Sequence, residues 1–255
     1  MRAASLGSGS RGNGTLIEDG DTCLLVDLGF STKETLVRLE RLSRSPDDID
    51  AILVTHEHAD HINGVVSFAA AYGLPVRMTA GTEHRANPPE GKIEVTRFSS
   101  HQSFSIGSIH IEPVPVPHDA REPSQFVFTA RDEKRLGLLT DIGHVTPHVR
   151  ERYQACDALL VECNHDVEML ANGPYPQRLK QRVAGIQGHL SNAQAADLLQ
   201  SVKTDRLAHV VLNHISEKNN LPSLALDAAR EALGEWQGEL QVADQQNGVD
   251  WIEIA

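Results

Sequence analysis

The run His56-Glu57-His58-Ala59-Asp60-His61 packs four metal-binding side chains into six residues. It follows AILVT (51–55), a short apolar run of the kind that forms a buried strand. Residues two apart at a strand end project to one side, so His56 and His58 can converge on one ion. Asp60 and His61 come next, as the chain turns into a helix, and form a second pair. Imidazole and carboxylate donors of this kind suit zinc, manganese or iron(II). The competing explanation is a helix start capped by Asp60 with exposed histidines around it. Four donors converging after a buried strand argue against it.

One segment cannot complete two coordination shells. His118 ends the run PVPVPH, Asp141 ends RLGLLTD and His214 ends LAHVVLNH. Each stands at the end of an apolar, strand-like stretch, as a site at one edge of a sheet sandwich requires. Glu162, in ECNHD (162–166), also ends a strand and is placed to orient His189 or a ligand histidine. His165 is a candidate substrate contact; the plainer alternative makes it a loop residue and Asp166 a helix cap. The glycine-rich opening holds Ser8, Ser10 and Asn13, and its amides can line a phosphate site. A tight turn needing glycine explains it equally well. His84, His101, His110, His144, His148 and His209 show no partner pattern, and His110 and His209 read as structural.

These residues need elements to position them. Residues 15–18 and 22–27 read as a hairpin across Asp19-Gly20-Asp21. Ser31 caps an expected helix over 32–43 with Leu36, Leu39 and Leu42 on one face. A second helix is expected from His61 to Tyr72, and others over 81–86, 177–183, 191–202 and 222–233. Strands are expected over 75–79, 109–116, 125–130, 136–140, 157–162 and 207–213. Pro113 and Pro115 mark an edge or a bend. The second half alternates strand and helix more regularly than the first. Sheets laid against helices in this way make a layered α/β sandwich. No repeat or long linker divides the chain, so residues 1–255 read as a single domain.

The 255 residues suffice for a large core, and a net charge of −12 argues against a broad basic surface. A local patch remains open: Arg178, Lys180 and Arg182 precede GHLSN (188–192), and Arg178 is taken as a substrate contact. A solvated helix face is the alternative. Arg131, Lys134 and Arg135 read as decoration on a hairpin turn. Cys23, Cys156 and Cys163 are odd in number and form no CxxC pair, so they read as small buried hydrophobes in a reducing cytoplasm. No apolar run reaches the roughly 18 residues of a membrane span. No membrane partner and no signal peptide are expected. A homodimer is the default expectation for oligomeric state.

The order HxHxDH, His, Asp, His resembles the metallo-β-lactamase superfamily, on the branch of glyoxalase II, ribonuclease Z and related phosphodiesterases. Antibiotic-hydrolysing members usually carry Cys where Asp141 stands, which disfavours β-lactamase activity. SLGSGSRGN (5–13), DIDAILVTHEHADHINGV (48–65), LLVECNHDVEML (159–170), GPYP (173–176), GHLSN (188–192) and HISEKNN (214–220) narrow the match. As a set spanning nearly the whole chain, they resemble the YycJ/WalJ-type (VicX-like) family, which is bacterial and linked to 5′-to-3′ exonuclease action on DNA.

The resemblance implies a four-layered αββα sandwich and two divalent metal ions, zinc or manganese, with iron an option. His56, His58 and His118 would hold one ion, Asp60, His61 and His214 the other, and Asp141 would bridge them. A hydroxide between the ions would be the nucleophile. His189 stands where phosphodiesterases of this superfamily carry a non-ligand histidine, so it is the expected general acid. Its structural alternative is a helix start capped by Ser191. Asp60 and Glu162 complete the expected catalytic set. The substrate would be a phosphodiester, with DNA as the leading candidate. The chain has neither the inserted arm of ribonuclease Z nor the extra domain of RNase J-like nucleases, since Asp141 and His189 lie only 48 positions apart. Two other readings stay open. One is a small-molecule hydrolase for thioesters, lactones or cyclic phosphodiesters, which the acidic charge favours. The other is a non-catalytic regulatory protein, against which the full ligand set argues.

Overall fold

Strands buried on both faces carry apolar residues at every position, and Cys23-Leu24-Leu25-Val26 shows why two layers result. Leu24 and Val26 pack between the sheets, while Cys23 and Leu25 pack toward helices. The computed structural model describes residues 1–255. Its first sheet holds β1 (Arg2–Gly7), β2 (Gly14–Asp19), β3 (Thr22–Val26), β4 (Ala51–Leu53), β5 (Val76–Met78) and β6 (Val95–Arg97). The second holds β7 (Phe104–Ile106), β8 (Ile109–Pro115), β9 (Ser124–Thr129), β10 (Arg135–Leu139), β11 (Ala158–Glu162), β12 (His209–Asn213) and β13 (Glu239–Val242). The last strand, β14 (Val249–Glu253), returns to the first sheet and pairs with β1.

The sheet orders are β14-β1-β2-β3-β4-β5-β6 and β13-β12-β11-β10-β9-β8-β7. From β3 to β6, and from β10 to β13, neighbouring strands are parallel. One face of the first sheet carries α1 (Thr32–Arg41), α2 (Ala59–Ile62), α3 (Val65–Tyr72) and α4 (Ala80–Ala86). The second carries α5 (Pro147–Tyr153), α6 (Val167–Asn172), α7 (Gln177–Val183), α8 (Asn192–Val202) and α9 (Pro222–Leu233). The apolar core follows these layers. Leu24, Val26, Phe126, Phe128, Leu138 and Leu160 fill the space between the sheets. Leu25, Leu39, Ile52 and Phe68 join the first sheet to α1 and α3. Tyr153, Leu159, Leu198, Leu212 and Ala229 join the second sheet to α5, α8 and α9. The αββα sandwich expected from the sequence is thus the observed architecture. No helix is long and apolar enough to cross a membrane.

Three local expectations change. Leu36 is exposed, and the buried stripe of α1 is Thr35, Leu39 and Leu42, because spacing by four and then three continues from 35 rather than from 36. The helix expected over 61–72 is two helices, broken at Asn63-Gly64. A Cβ on Gly64 would lie 2.0 Å from the Phe30 carbonyl oxygen, and the Gly64 amide donates to the Leu28 carbonyl at 2.8 Å. The chain is drawn onto the 28–30 loop there, and the helix restarts. Pro113 and Pro115 are not on an edge strand as a whole; β7 pairs only with residues 109–111 of β8, so the prolines fall where that side of the strand is already free.

Candidate metal centre

The C-terminal ends of β4, β8, β10, β11 and β12 deliver His56, His118, Asp141, Glu162 and His214 to one edge of the sandwich. Asp60 and His61 reach the same place from α2, whose backbone is pressed against the first sheet. A Cβ on Gly29 would stand 2.0 Å from the Asp60 carbonyl oxygen, so only glycine permits that approach. Three residues at the strand ends take left-handed backbone: Asp27 (φ 59°), Asp141 (φ 51°) and His214 (φ 50°). Such residues cost of order 1–3 kcal/mol each and persist only where their surroundings fix them. Here the fixing bonds are visible. Asp27 accepts from the Thr55 amide (2.8 Å) and hydroxyl (2.7 Å), Asp141 accepts from the Thr140 hydroxyl (2.6 Å), and the His214 amide donates to Ser8 Oγ (2.8 Å).

His56, His58 and His118 form the first cluster, with His58 Nδ1 lying 3.0 Å from His56 Nε2 and 3.1 Å from His118 Nε2. The hydrogen-bond network assigns the protons. The Thr55 hydroxyl donates to Asp27, so it accepts from His56 Nδ1 at 2.9 Å. His118 Nδ1 donates to the Gly188 carbonyl at 2.9 Å. Burial lowers the pKa of both rings and keeps them neutral. Each therefore turns an Nε2 lone pair toward the other and toward His58. Two such lone pairs beside His58 Nδ1 suit a cation's donor set.

Asp60, His61, Asp141 and His214 form the second cluster. His61 Nδ1 bonds Asp27 at 2.7 Å, and its Nε2 lies 3.0 Å from Asp141 Oδ2. Asp141 Oδ1 lies 3.8 Å from His118 Nε2 and 3.4 Å from His214 Nδ1, so this carboxylate stands between the two clusters. Burial alone would lower His214; Asp141, Asp60 and Glu162 outweigh it and push the imidazole up to about 10. His61 is raised for the same reason, against its burial, by Asp141, Asp27 and Asp60. The site stabilises positive charge, which divalent cations supply in place of protons. The donor set fits such cations on chemistry and on geometry.

Glu162 is fully buried and organises the rear of the site. It accepts from the Ile142 and Leu190 amides at 3.0 Å each, and lies 2.6 Å from His189 Nδ1 and 3.1 Å from His214 Nδ1. Burial opposes its charge, but His189 and His214 hold the carboxyl down at about 2. His189 sits with ring centroids 5.2 Å from both His118 and His214, spanning the two clusters. Burial works against its protonated form, and Glu162 and Asp141 more than compensate.

The other expected contacts divide. Asn13 is buried against the cluster: its Nδ2 lies 3.3 Å from Asp60 Oδ2 and 3.1 Å from His61 Nε2, which makes it a brace for the ligands. Ser10 is exposed on the opening loop. His165 is buried beside Glu162, and burial lowers its imidazole to about 4. Arg178 is exposed, while Arg182 one turn on forms a two-bond pair with Asp119. Asp119 in turn lies 3.5 Å from His58 Nε2 and 3.6 Å from His118 Nε2. Sequence reasoning missed Asp27, Thr55 and Asp119. Asp27 carried the same signal that singled out Asp141, a carboxylate closing an apolar strand. The three cysteines are buried and unpaired, and burial pushes the Cys156 and Cys163 thiols up to about 12.

Comparison with known proteins shows the family. Residues 22–215 match the β-lactamase superfamily domain. The chain is 39% identical over 225 residues to the exodeoxyribonuclease WalJ of Streptococcus pneumoniae serotype 2, covering 86% of this chain and 83% of that one. It is 36% identical over 233 residues to the exodeoxyribonuclease YycJ of Bacillus anthracis, covering 90% and 88%. The fold superposes on the metallo-β-lactamase fold protein YhfI of Bacillus subtilis with a TM-score of 0.75, at 17% identity and 99% coverage of both chains. The chain belongs to the β-lactamase superfamily domain family, in the group that contains the WalJ and YycJ proteins.

Proposed function

We propose that the protein is a two-metal phosphodiesterase that removes nucleotides from DNA in the 5′-to-3′ direction. The relatives named exodeoxyribonucleases support the substrate class. His56, His58 and His118 would hold one cation, Asp60, His61 and His214 the other, and Asp141 both. Zinc or manganese suits these donors, with iron(II) an option. Bound there, the cations would activate water and offset charge on the phosphoryl oxygens.

The observation that carries the phosphodiester reading is His189. Its Nδ1 is tied to Glu162 at 2.6 Å, so Nε2 is left to face a substrate lying across the two clusters. There it delivers a proton to the departing oxygen. An alkoxide needs that proton far more than a thiolate does, so the arrangement favours phosphodiesters over thioesters. Against its burial, Glu162 and Asp141 favour the imidazolium form of His189, which carries the transferable proton on Nε2, and Asn13 holds Asp60 in place. Pairing of β1 with β14, strands from the two ends of the chain, supports reading residues 1–255 as one domain. The buried, unpaired cysteines suit a reducing cytoplasm.

The test combines metal content of the purified protein with turnover of bis-p-nitrophenyl phosphate, 5′-phosphorylated duplex DNA, a glutathione thioester and a lactone. Turnover of the two phosphodiesters, dependent on manganese or zinc, is expected. Turnover of the thioester or lactone alone overturns the reading.

A further inference from the structure

Beside the metal centre lies a cavity of about 510 Å³ whose walls come from α6, α7 and the start of α8. The volume falls within the roughly 300–1,000 Å³ of small-molecule sites. The cavity is joined to the centre through the backbone. His165, in its wall, lies three residues past Glu162 and forms a β-bridge with Ser191, two residues past His189. Helix α7 contributes to both spaces. Gln177, Lys180 and Gln181 line the cavity, while Arg182 turns to Asp119 at the metal cluster.

Its chemistry is selective. The chain has 35 Asp and Glu residues, and none lines this cavity. The larger neighbouring groove between α8 and α9, by contrast, is rimmed by Asp166, Asp197 and Glu231. Lys180 is the single cation, and its ammonium donates to the Ala171 carbonyl. One lysine with no cluster of amides makes a poor phosphate site. The amides of Gln177, Gln181 and Gln194 instead present donors and acceptors together, against an apolar wall that includes Leu170. Gln194 is pre-set: its Oε1 accepts from the Ser191 amide (2.9 Å) and hydroxyl (3.0 Å), which leaves its NH₂ group for a ligand. His165 Nδ1 is buried with no protein partner, a rare condition for a polar atom unless a ligand or water completes it.

We propose that this cavity is a nucleobase site, which holds the base of the nucleotide whose phosphate lies at the metal centre. Mixed donors and acceptors beside an apolar wall match the edge and face of any base, so recognition would be tolerant of sequence. The proposal rests on the phosphodiesterase reading, and its test separates the two.

Calorimetry on the purified full chain would compare deoxyadenosine monophosphate with deoxyribose 5-phosphate, which lacks the base. The monophosphate is expected to bind at least tenfold more tightly. Ala184→Trp, which fills the cavity from its rim, and Gln181→Ala should each remove most of that preference while deoxyribose 5-phosphate binds as before. Both positions are exposed, so the core is not burdened, and thermal melts verify folding. Equal binding of the two probes, or a preference unchanged in both variants, overturns the proposal. Hydrolysis of bis-p-nitrophenyl phosphate, which has no base, scores the activity separately. A base preference without that turnover keeps the cavity and sinks the phosphodiesterase reading.

Discussion

At the residue scale, His189 lies within ligand distance of Asp141, Glu162 and His214, and its proposed task is to move a proton rather than to hold a metal. In the proposed role His189 delivers a proton to the leaving oxygen, so His189→Ala should lower turnover of 5′-phosphorylated duplex DNA by about 10²–10³-fold, and turnover of bis-p-nitrophenyl phosphate, whose nitrophenolate leaves without a proton, far less. Metal content, read by mass spectrometry, should stay at the wild-type level. Loss of metal along with activity would instead make His189 a ligand. Glu162 touches both His189 and His214, so Glu162→Gln should weaken metal binding about 10–100-fold as well as slow turnover. Arg182 offers a third contrast. It is the cation tied to the cluster through Asp119, where the sequence had pointed to Arg178. If it meets a DNA phosphate, Arg182→Ala should weaken DNA binding for every sequence alike. The slope of log affinity against log salt should fall by about one. An unchanged slope would leave Arg182 a purely structural partner of Asp119.

At the element scale, what could be read depended on burial. Strands β4, β10, β11 and β12 are apolar at nearly every position because both faces are covered, and the donor at each C-terminal end was legible for that reason. Edge strands carry no such run: β6 and β13 are partly exposed along their length and were not anticipated. Helices α5 and α6 were not anticipated, although Thr146 and Asp166 cap them with side-chain bonds and Asp166 already reads as a possible cap in the sequence. Asp119 was missed because no spacing rule links it to the histidines, whereas Asp27 closes an apolar strand as Asp141 does and was legible on that signal. The opposite end of the same parallel strands yields a stability prediction. Asp157, just before β11, accepts from the Arg135 amide (2.9 Å), Arg206 (2.8 Å) and Lys134 (3.4 Å), joining three segments. Burial opposes its charge, but the bonds from Arg206 and Arg135 hold its carboxyl below the usual range. Its contribution is complete above the unfolded value near 4 and is lost as pH falls through the lower folded value. Asp157→Asn should lower Tm by about 3–6 °C at pH 7, and the gap should close as the pH is lowered toward 3. A gap independent of pH would contradict the ionic account.

At the scale of the whole molecule, the candidate metal centre would work as a clasp between two sheets. Its donors come from β4 and α2 on one side and from β8, β10 and β12 on the other. An acidic chain gathers Asp60, Asp141 and Glu162 there, and bound cations would relieve the repulsion. Removing metal with a chelator should therefore lower Tm. At metal concentrations near 100 times Kd, each site adds about 2.7 kcal/mol, or about 5–10 °C for a chain of this size. Added manganese or zinc should restore the loss; identical melts with and without chelator would show that the clasp carries no load. Asp157 and Glu162 stand at opposite ends of β11, about 16 Å apart at 3.3 Å per residue. Changes that far apart, with no shared partner, add. The chelator should thus lower the Tm of Asp157→Asn by the same interval as that of the wild type. A smaller interval would mean that the two ends of the sheet unfold as separate units rather than together.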